Sequence, residues 1–157
     1  MTLFVAPDTS PFMTIAISID ELIDNFAFLD DWEERYTYVL ELGKALEPLP
    51  DADHNSDTKV EGCVSQVWLR ADYHKDEDVL RFAGDSDSFL VRGLVAIVLS
   101  AFSGKSKADI QAIDAGDLFL RLGLNENLTP QRSNGLASMV RYIKAYASGE
   151  RAPHRLI

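Results

Sequence analysis

Apolar positions recur along the chain at two periods, and the switch between them separates helical from strand segments. Ser18-Ile19-Asp20-Glu21 predicts a helix start: a Ser N-cap with Glu three residues on forms a capping box, and Ile17 and Leu22 are spaced as a hydrophobic staple. Asp31 and Glu34 repeat the capping pattern. Behind them Trp32, Tyr36, Val39, Leu40 and Gly43 recur at helical spacing, in a second helix that fades before Pro48 and Pro50. Glu47 to Thr58 is polar and turn-rich. The period then changes to two, with Val67, Leu69, Ala71 and Tyr73 alternating with Trp68, Arg70 and Asp72 as in a half-buried strand. Lys75-Asp76-Glu77-Asp78 reads as a turn, and Val79 to Ala83 returns antiparallel with Leu80 and Phe82 on one face. A leading strand around Lys59 to Glu61 completes a three-stranded antiparallel sheet.

Gly84-Asp85-Ser86-Asp87 supplies turn and N-cap residues for a helix through Phe102, closed by Gly104. Its apolar residues run all round, which predicts a central, buried element. Ser106 with Asp109 caps a brief helix, and Asp117 to Leu122 forms another ending at Gly123. Thr129-Pro130 is an N-cap and first-turn pair for the segment leading to Gly149. Helices flanking one small sheet make this an α+β domain, with most of its helical mass after the sheet. Residues 13–157 read as a single domain, and residues 1–12 as either a mobile N-terminal extension or a mis-assigned start.

Composition narrows the function classes. The chain has 157 residues, enough for one core, and its 15 Lys plus Arg against 25 Asp plus Glu leave a net charge of −10. That surface repels phosphate backbones, so neither nucleic acid nor an anionic membrane is an expected partner. A protein with a basic patch would be steered toward it. The single cysteine cannot form an intramolecular disulfide, and it falls short of a structural zinc or iron–sulfur ligand set, so no metal site is expected. A reducing, cytoplasmic setting fits, since the N-terminal stretch lacks the charged start of a signal peptide. The longest apolar run, Phe89 to Phe102, is too short to span a bilayer.

Chemistry then centres on Cys63, which follows Gly62 in the loop before the long strand. By residue type alone, a free cysteine is more often a small buried hydrophobe than a nucleophile. A Cys–His hydrolase would need His54 or His74 as base. Yet His54 in a polar loop, His74 at a strand end and His154 in the tail all read as solvated.

The run Val60-Glu61-Gly62-Cys63-Val64-Ser65-Gln66-Val67-Trp68 resembles the active-site segment of SufE-type cysteine desulfuration proteins. Two further signatures of that family are resembled in the same order: Gly84-Asp85-Ser86-Asp87 with Arg92-Gly93-Leu94, and Leu128-Thr129-Pro130-Gln131-Arg132-Ser133-Asn134-Gly135-Leu136. Together the resemblance covers about residues 18–147. Val64 and Gln131 depart from the polar and the small residue expected at their positions, and neither change removes a reactive group.

The resemblance implies an α+β fold like that of IscU-type iron–sulfur scaffolds, but with one cysteine in place of several ligating ones. It implies that Cys63 accepts sulfur as a persulfide from a cysteine desulfurase of the SufS or CsdA type. The pyridoxal phosphate would belong to that partner and none would be bound by this chain; the sulfur would pass on toward an iron–sulfur scaffold. Gly62, Val64, Ser65 and Gln66 would support the Cys63 loop. Asp85, Ser86 and Asp87 would adjoin it and contact the partner. Arg92 and Arg132 are the cations the resemblance brings near the site, unless each pairs with a carboxylate such as Asp85 or Asp87. A rival reading is an interaction module that stimulates its partner with an inert Cys63. On the carrier reading, Val60 and Val64 are expected to fold the thiol inward, because an exposed persulfide is lost to other thiols.

Overall fold

The computed structural model describes residues 18–157. The extension at residues 1–12, the domain start at Met13 and the Ile17 half of the staple lie outside them. The N-cap half of each capping box forms as its chemistry requires, while the Glu34 carboxylate reaches back to accept the Asp30 N–H at 3.1 Å. Ser18 and Asp31 accept the N–H groups of Glu21 and Glu34, and start helices α1 (Ile19–Phe28) and α2 (Trp32–Ala45). After a single 3-10 turn at Asp51–Asp53, strands β1 (Val67–His74) and β2 (Val79–Ser86) form an antiparallel hairpin in continuous register, Val67 opposite Ser86 and His74 opposite Val79.

Helix α3 (Phe89–Phe102) is the centre of the core, with eleven of its fourteen residues buried. It crosses α2 almost backbone to backbone. A Cβ on Gly43 would lie 2.1 Å from the Phe89 carbonyl oxygen, and one on Gly93 at the same distance from that of Val39. Helices α4 (Lys107–Ala112), α5 (Ala115–Arg121) and α6 (Leu124–Asn127) form an outer wall. Helix α7 (Pro130–Ser148) starts at the Thr129 cap and ends at Gly149, as its punctuation predicts.

The α+β class and the count of three strands stand, but two details are corrected. The third strand is β3 (Arg155–Leu156), which runs parallel to β1, so the sheet is mixed, in the order β2-β1-β3. The segment Lys59 to Glu61 contributes only a bridge: Leu69 N–H donates to the Thr58 carbonyl, and Val60 N–H to that of Val67. The free edge of β1 is thus divided. Residues 58–60 take its start, and the returning tail takes its end, where His154 N–H donates to Ala71 O and Ile157 N–H to Tyr73 O.

Second, β2 runs on through Ser86, and the cap of α3 is Ser88, so Gly84 to Asp87 is not the expected turn. The hairpin keeps pairing because the Asp85 side chain finds its partners inside the protein. The polar face of β1 is not solvated either. Asp72 is fully buried between Arg70 and Arg155, and Arg70 also pairs with Asp53 at 2.7 Å.

Among the described residues no helix is long and apolar enough to cross a membrane. Among the same residues, no group of three His, Cys, Asp or Glu is placed to hold a metal ion.

Candidate functional site

The chain leaves the core at Val60, 2% exposed, and re-enters it at Val67, so residues 61–66 form a loop pinned at both ends. That loop lies along one stripe of α7. Cys63 Sγ is 3.7 Å from the Gly135 carbonyl oxygen, and Gly62 sits on Ser138 one turn further along. Glu61 shares a groove with Arg141, another turn on. Glycine is required at position 62 on two counts. Its φ is +92°, and a Cβ there would fall 2.5 Å from Ser138 Oγ.

Cys63 stands at the lip of a cavity of about 320 Å³, walled by Val91 and Leu94 of α3 and by Arg132, Gly135 and Met139 of α7. The thiol is half-buried, and burial, as the largest influence, pushes its pKa above the ordinary thiol value. The Arg141 guanidinium opposes this, and the Glu61 carboxylate adds to it. Ser138 holds Arg141, accepting a hydrogen bond from Nη2 at 3.0 Å. Burial therefore favours the protonated thiol over the thiolate, and the sulfur has open space beside it.

The inward folding expected of two valines holds for one. Val60 is in the core, but Val64 is 80% exposed, and the thiol is covered by α3 and α7 instead. Ser65 joins the cavity lining. Gln66 is tied to the β2–α3 junction, its N–H donating to Asp87 Oδ1 at 3.1 Å and its carbonyl accepting from Asp87 N–H at 3.3 Å. The Cys63 loop and the 85–87 block are thus neighbours.

Within that block only Asp87 faces solvent. Asp85 is 4% exposed and accepts hydrogen bonds from Leu49 N–H, His54 Nε2 and Arg92. Arg92 also donates to the Gly43 and Leu46 carbonyls at the end of α2. It is a brace between α2, α3 and β2, not a cation beside Cys63. Arg132 does line the cysteine cavity.

None of the histidines lines that cavity, and His54 and His154 are not merely solvated. His54 stacks on Trp68 with ring centroids 4.3 Å apart and bonds Asp85. His154 Nδ1 accepts the Ala71 N–H at 2.9 Å, and half-buried His74 closes β1. The site thus gains Gly135, Ser138 and Arg141 in place of Arg92. Small residues at positions 135 and 138, three apart and so on one face of α7, are the sequence signal for a chain crossing close over that helix.

An α+β domain that holds its one cysteine between the left-handed Gly62 turn and a helix stripe, beside a small cavity, defines a single-thiol protein. Residues 20–147 match the family described as SufE, an Fe-S metabolism associated domain. An uncharacterised SufE-like protein of Rhizobium meliloti (strain 1021) is 54% identical over 134 residues, which are 84% of this chain and 96% of the relative. A second, from Rhizobium etli, is 53% identical over 132 residues, 83% of this chain and 89% of the relative. The solution structure of a hypothetical protein from Thermus thermophilus shares the fold, with a TM-score of 0.67 at 20% identity over 83% of this chain and 93% of that one. The chain belongs to the SufE family and, with it, to iron–sulfur metabolism.

Proposed function

We propose that this protein accepts sulfur at Cys63 from a pyridoxal-phosphate cysteine desulfurase, activates that enzyme by clearing its persulfide, and passes the sulfur toward iron–sulfur cluster assembly. One observation carries the reading: in a SufE-family chain, the only thiol is anchored at a glycine hinge beside a cavity with room for a further atom. The pyridoxal phosphate belongs to the partner and generates a persulfide on the partner's own cysteine.

The Cys63 thiolate attacks the outer sulfur of that persulfide. A new S–S bond forms at Cys63, the old one breaks, and the electron pair leaves on the partner's cysteine thiolate. No external oxidant is needed, because the sulfane sulfur keeps its oxidation level. The proton lost from Cys63 beforehand goes to solvent or to the departing thiolate. Arg141 favours that loss, while burial and Glu61 resist it, so nucleophilicity rises when the loop leaves the cavity wall.

Intact mass analysis after incubation with a desulfurase and cysteine tests this. The expected product carries added sulfur on Cys63, released by reductant and absent in Cys63→Ser. An unmodified Cys63 while the desulfurase turns over refutes the carrier role. Stimulation of the desulfurase that survives in Cys63→Ser favours a plain interaction module instead.

A further inference from the structure

Next to the Cys63 loop, on the side away from its cavity, a groove of about 320 Å³ runs between residues 56–61 and the second half of α7. Three cations meet there: Lys59, Arg141 and Arg151. Glu61 is the one carboxylate lining it. In a chain of net charge −10, such a cluster is a local reversal of sign.

Two of the cations are held in place. Arg141 donates to Ser138 Oγ at 3.0 Å, and the Arg151 guanidinium lies over the Tyr142 and Tyr146 rings, 4.5 and 5.4 Å from their centroids. Lys59 is fixed at its backbone by the bridge to Trp68. Unlike Arg70, Arg81, Arg92, Arg121 and Arg155, these three have no carboxylate within 4.0 Å among the described residues, as is also true of exposed Lys75 and Lys107, and they are engaged by a hydroxyl, aromatic faces and solvent. All three are exposed, and the guanidinium groups of Arg141 and Arg151 are pre-organised.

We propose that this groove docks an acidic segment of the partner desulfurase, anchoring it one loop away from Cys63. The partner's identity rests on the sulfur-transfer reading above; the acidic character rests on the groove itself. Charge complementarity favours such an occupant, and Lys59 and Arg151 at the rim would act mainly on encounter rate and salt dependence. Nucleic acid would meet the same cations but also the acidic remainder of the surface. Engagement of Arg141 also bears on the thiol, because the guanidinium that opposes burial at Cys63 would then be shared with a partner carboxylate.

The experiment measures the affinity of the full-length protein for the desulfurase at low and high salt. Lys59→Gln/Arg151→Gln is compared with Lys75→Gln/Lys107→Gln, which removes the same charge at the hairpin end of β1, a strand length from the groove. The groove variant is expected to bind about tenfold more weakly at low salt. Its salt dependence should be shallower, converging with wild type near ~0.5 M salt, where screening reaches ~4 Å. The control should bind as wild type does. Arg151→Lys and Lys59→Glu, with melting curves alongside, keep the test valid should Arg151→Gln unfold: the first should retain affinity and the second lose more. Groove and control variants binding alike would overturn the docking site, as would a loss that persists undiminished at high salt. Wild type that binds through the groove yet carries no sulfur would instead sink the sulfur-transfer reading and leave the groove standing.

Discussion

Cys63 is governed by the adjacent Gly62 and by two neighbours that sequence distance conceals. Gly62 gives the loop its left-handed turn, Ser138 receives it, and Gly135 faces the sulfur with a carbonyl oxygen in place of a side chain. A carbonyl accepts the S–H hydrogen but repels a thiolate, so this seat suits the protonated form. The pH dependence follows directly. With the thiol pKa raised by burial, alkylation of the native protein should be slow at neutral pH and reach its midpoint above that of the unfolded chain, whose thiol titrates at about 8.5. Removing the opposing cation in Arg141→Gln should move the midpoint higher, and Glu61→Gln should move it lower. A pH–rate profile with iodoacetamide checks all three. A native midpoint at or below the unfolded one would show that burial does not govern the thiol.

At the scale of elements, the strand added by the tail is small, but it closes a buried ionic cluster. Asp72 is fully buried, and Arg155 of β3 supplies hydrogen bonds at 3.0 and 3.4 Å beside those from Arg70. His154 caps the Ala71 N–H, and the Tyr146 hydroxyl lies 3.2 Å from its other ring nitrogen. Deleting residues 153–157 would leave Asp72 with Arg70 alone and open the edge of β1. Breaking one arm of a buried charge cluster costs ~3 kcal/mol or more, so urea unfolding should show a loss of that order. A midpoint unchanged by the deletion would mean that Arg70 and water suffice. The same logic explains why Arg92 is a brace: it neutralises buried Asp85 and at the same time caps the carbonyls at the end of α2.

For the whole molecule, the arrangement puts three separately encoded segments on one face: the loop 61–66, the exposed Asp87 beside it, and α7 from Arg132 to Arg141. On the proposed sulfur transfer the two sulfurs have to touch, which would put the partner over this face. Hydrogen exchange in the complex should therefore show protection across 62–66 and near Asp87, with a second zone at Lys59 on the groove side. Protection confined to the last turns of α7 would place the partner elsewhere.

The starts of α1, α2, α4 and α7, the hairpin and the α+β class were legible in the sequence because each rests on local physics: caps within three residues, a period of 3.6 or two, and Gly or Pro at the ends. Helix α5 instead starts at Ala115 behind its Asp114 cap, two residues before the expected Asp117, and the single turn α6 has no counterpart among the predicted elements. The family was legible as well, since Gly62-Cys63 and its two companion blocks are short contiguous strings, and the family match over residues 20–147 agrees with that assignment. What tertiary structure alone decided lies between segments far apart in the chain. The edge of β1 could accept either residues 58–60 or the tail, and only packing divides it between them. Asp85 and Arg92 could serve a partner or each other, and burial directs them to each other. Val64 reads as an inward-facing apolar residue, but the hinge at Gly62 points it out and leaves α3 and α7 to cover the sulfur. Beside the local Glu61, the environment of Cys63 is set by α3 and by distant residues of α7, Gly135 to Arg141, the nearest of these 72 positions along the chain. No local periodicity encodes contacts at that separation, because they exist only once the core has brought α7 beneath the loop.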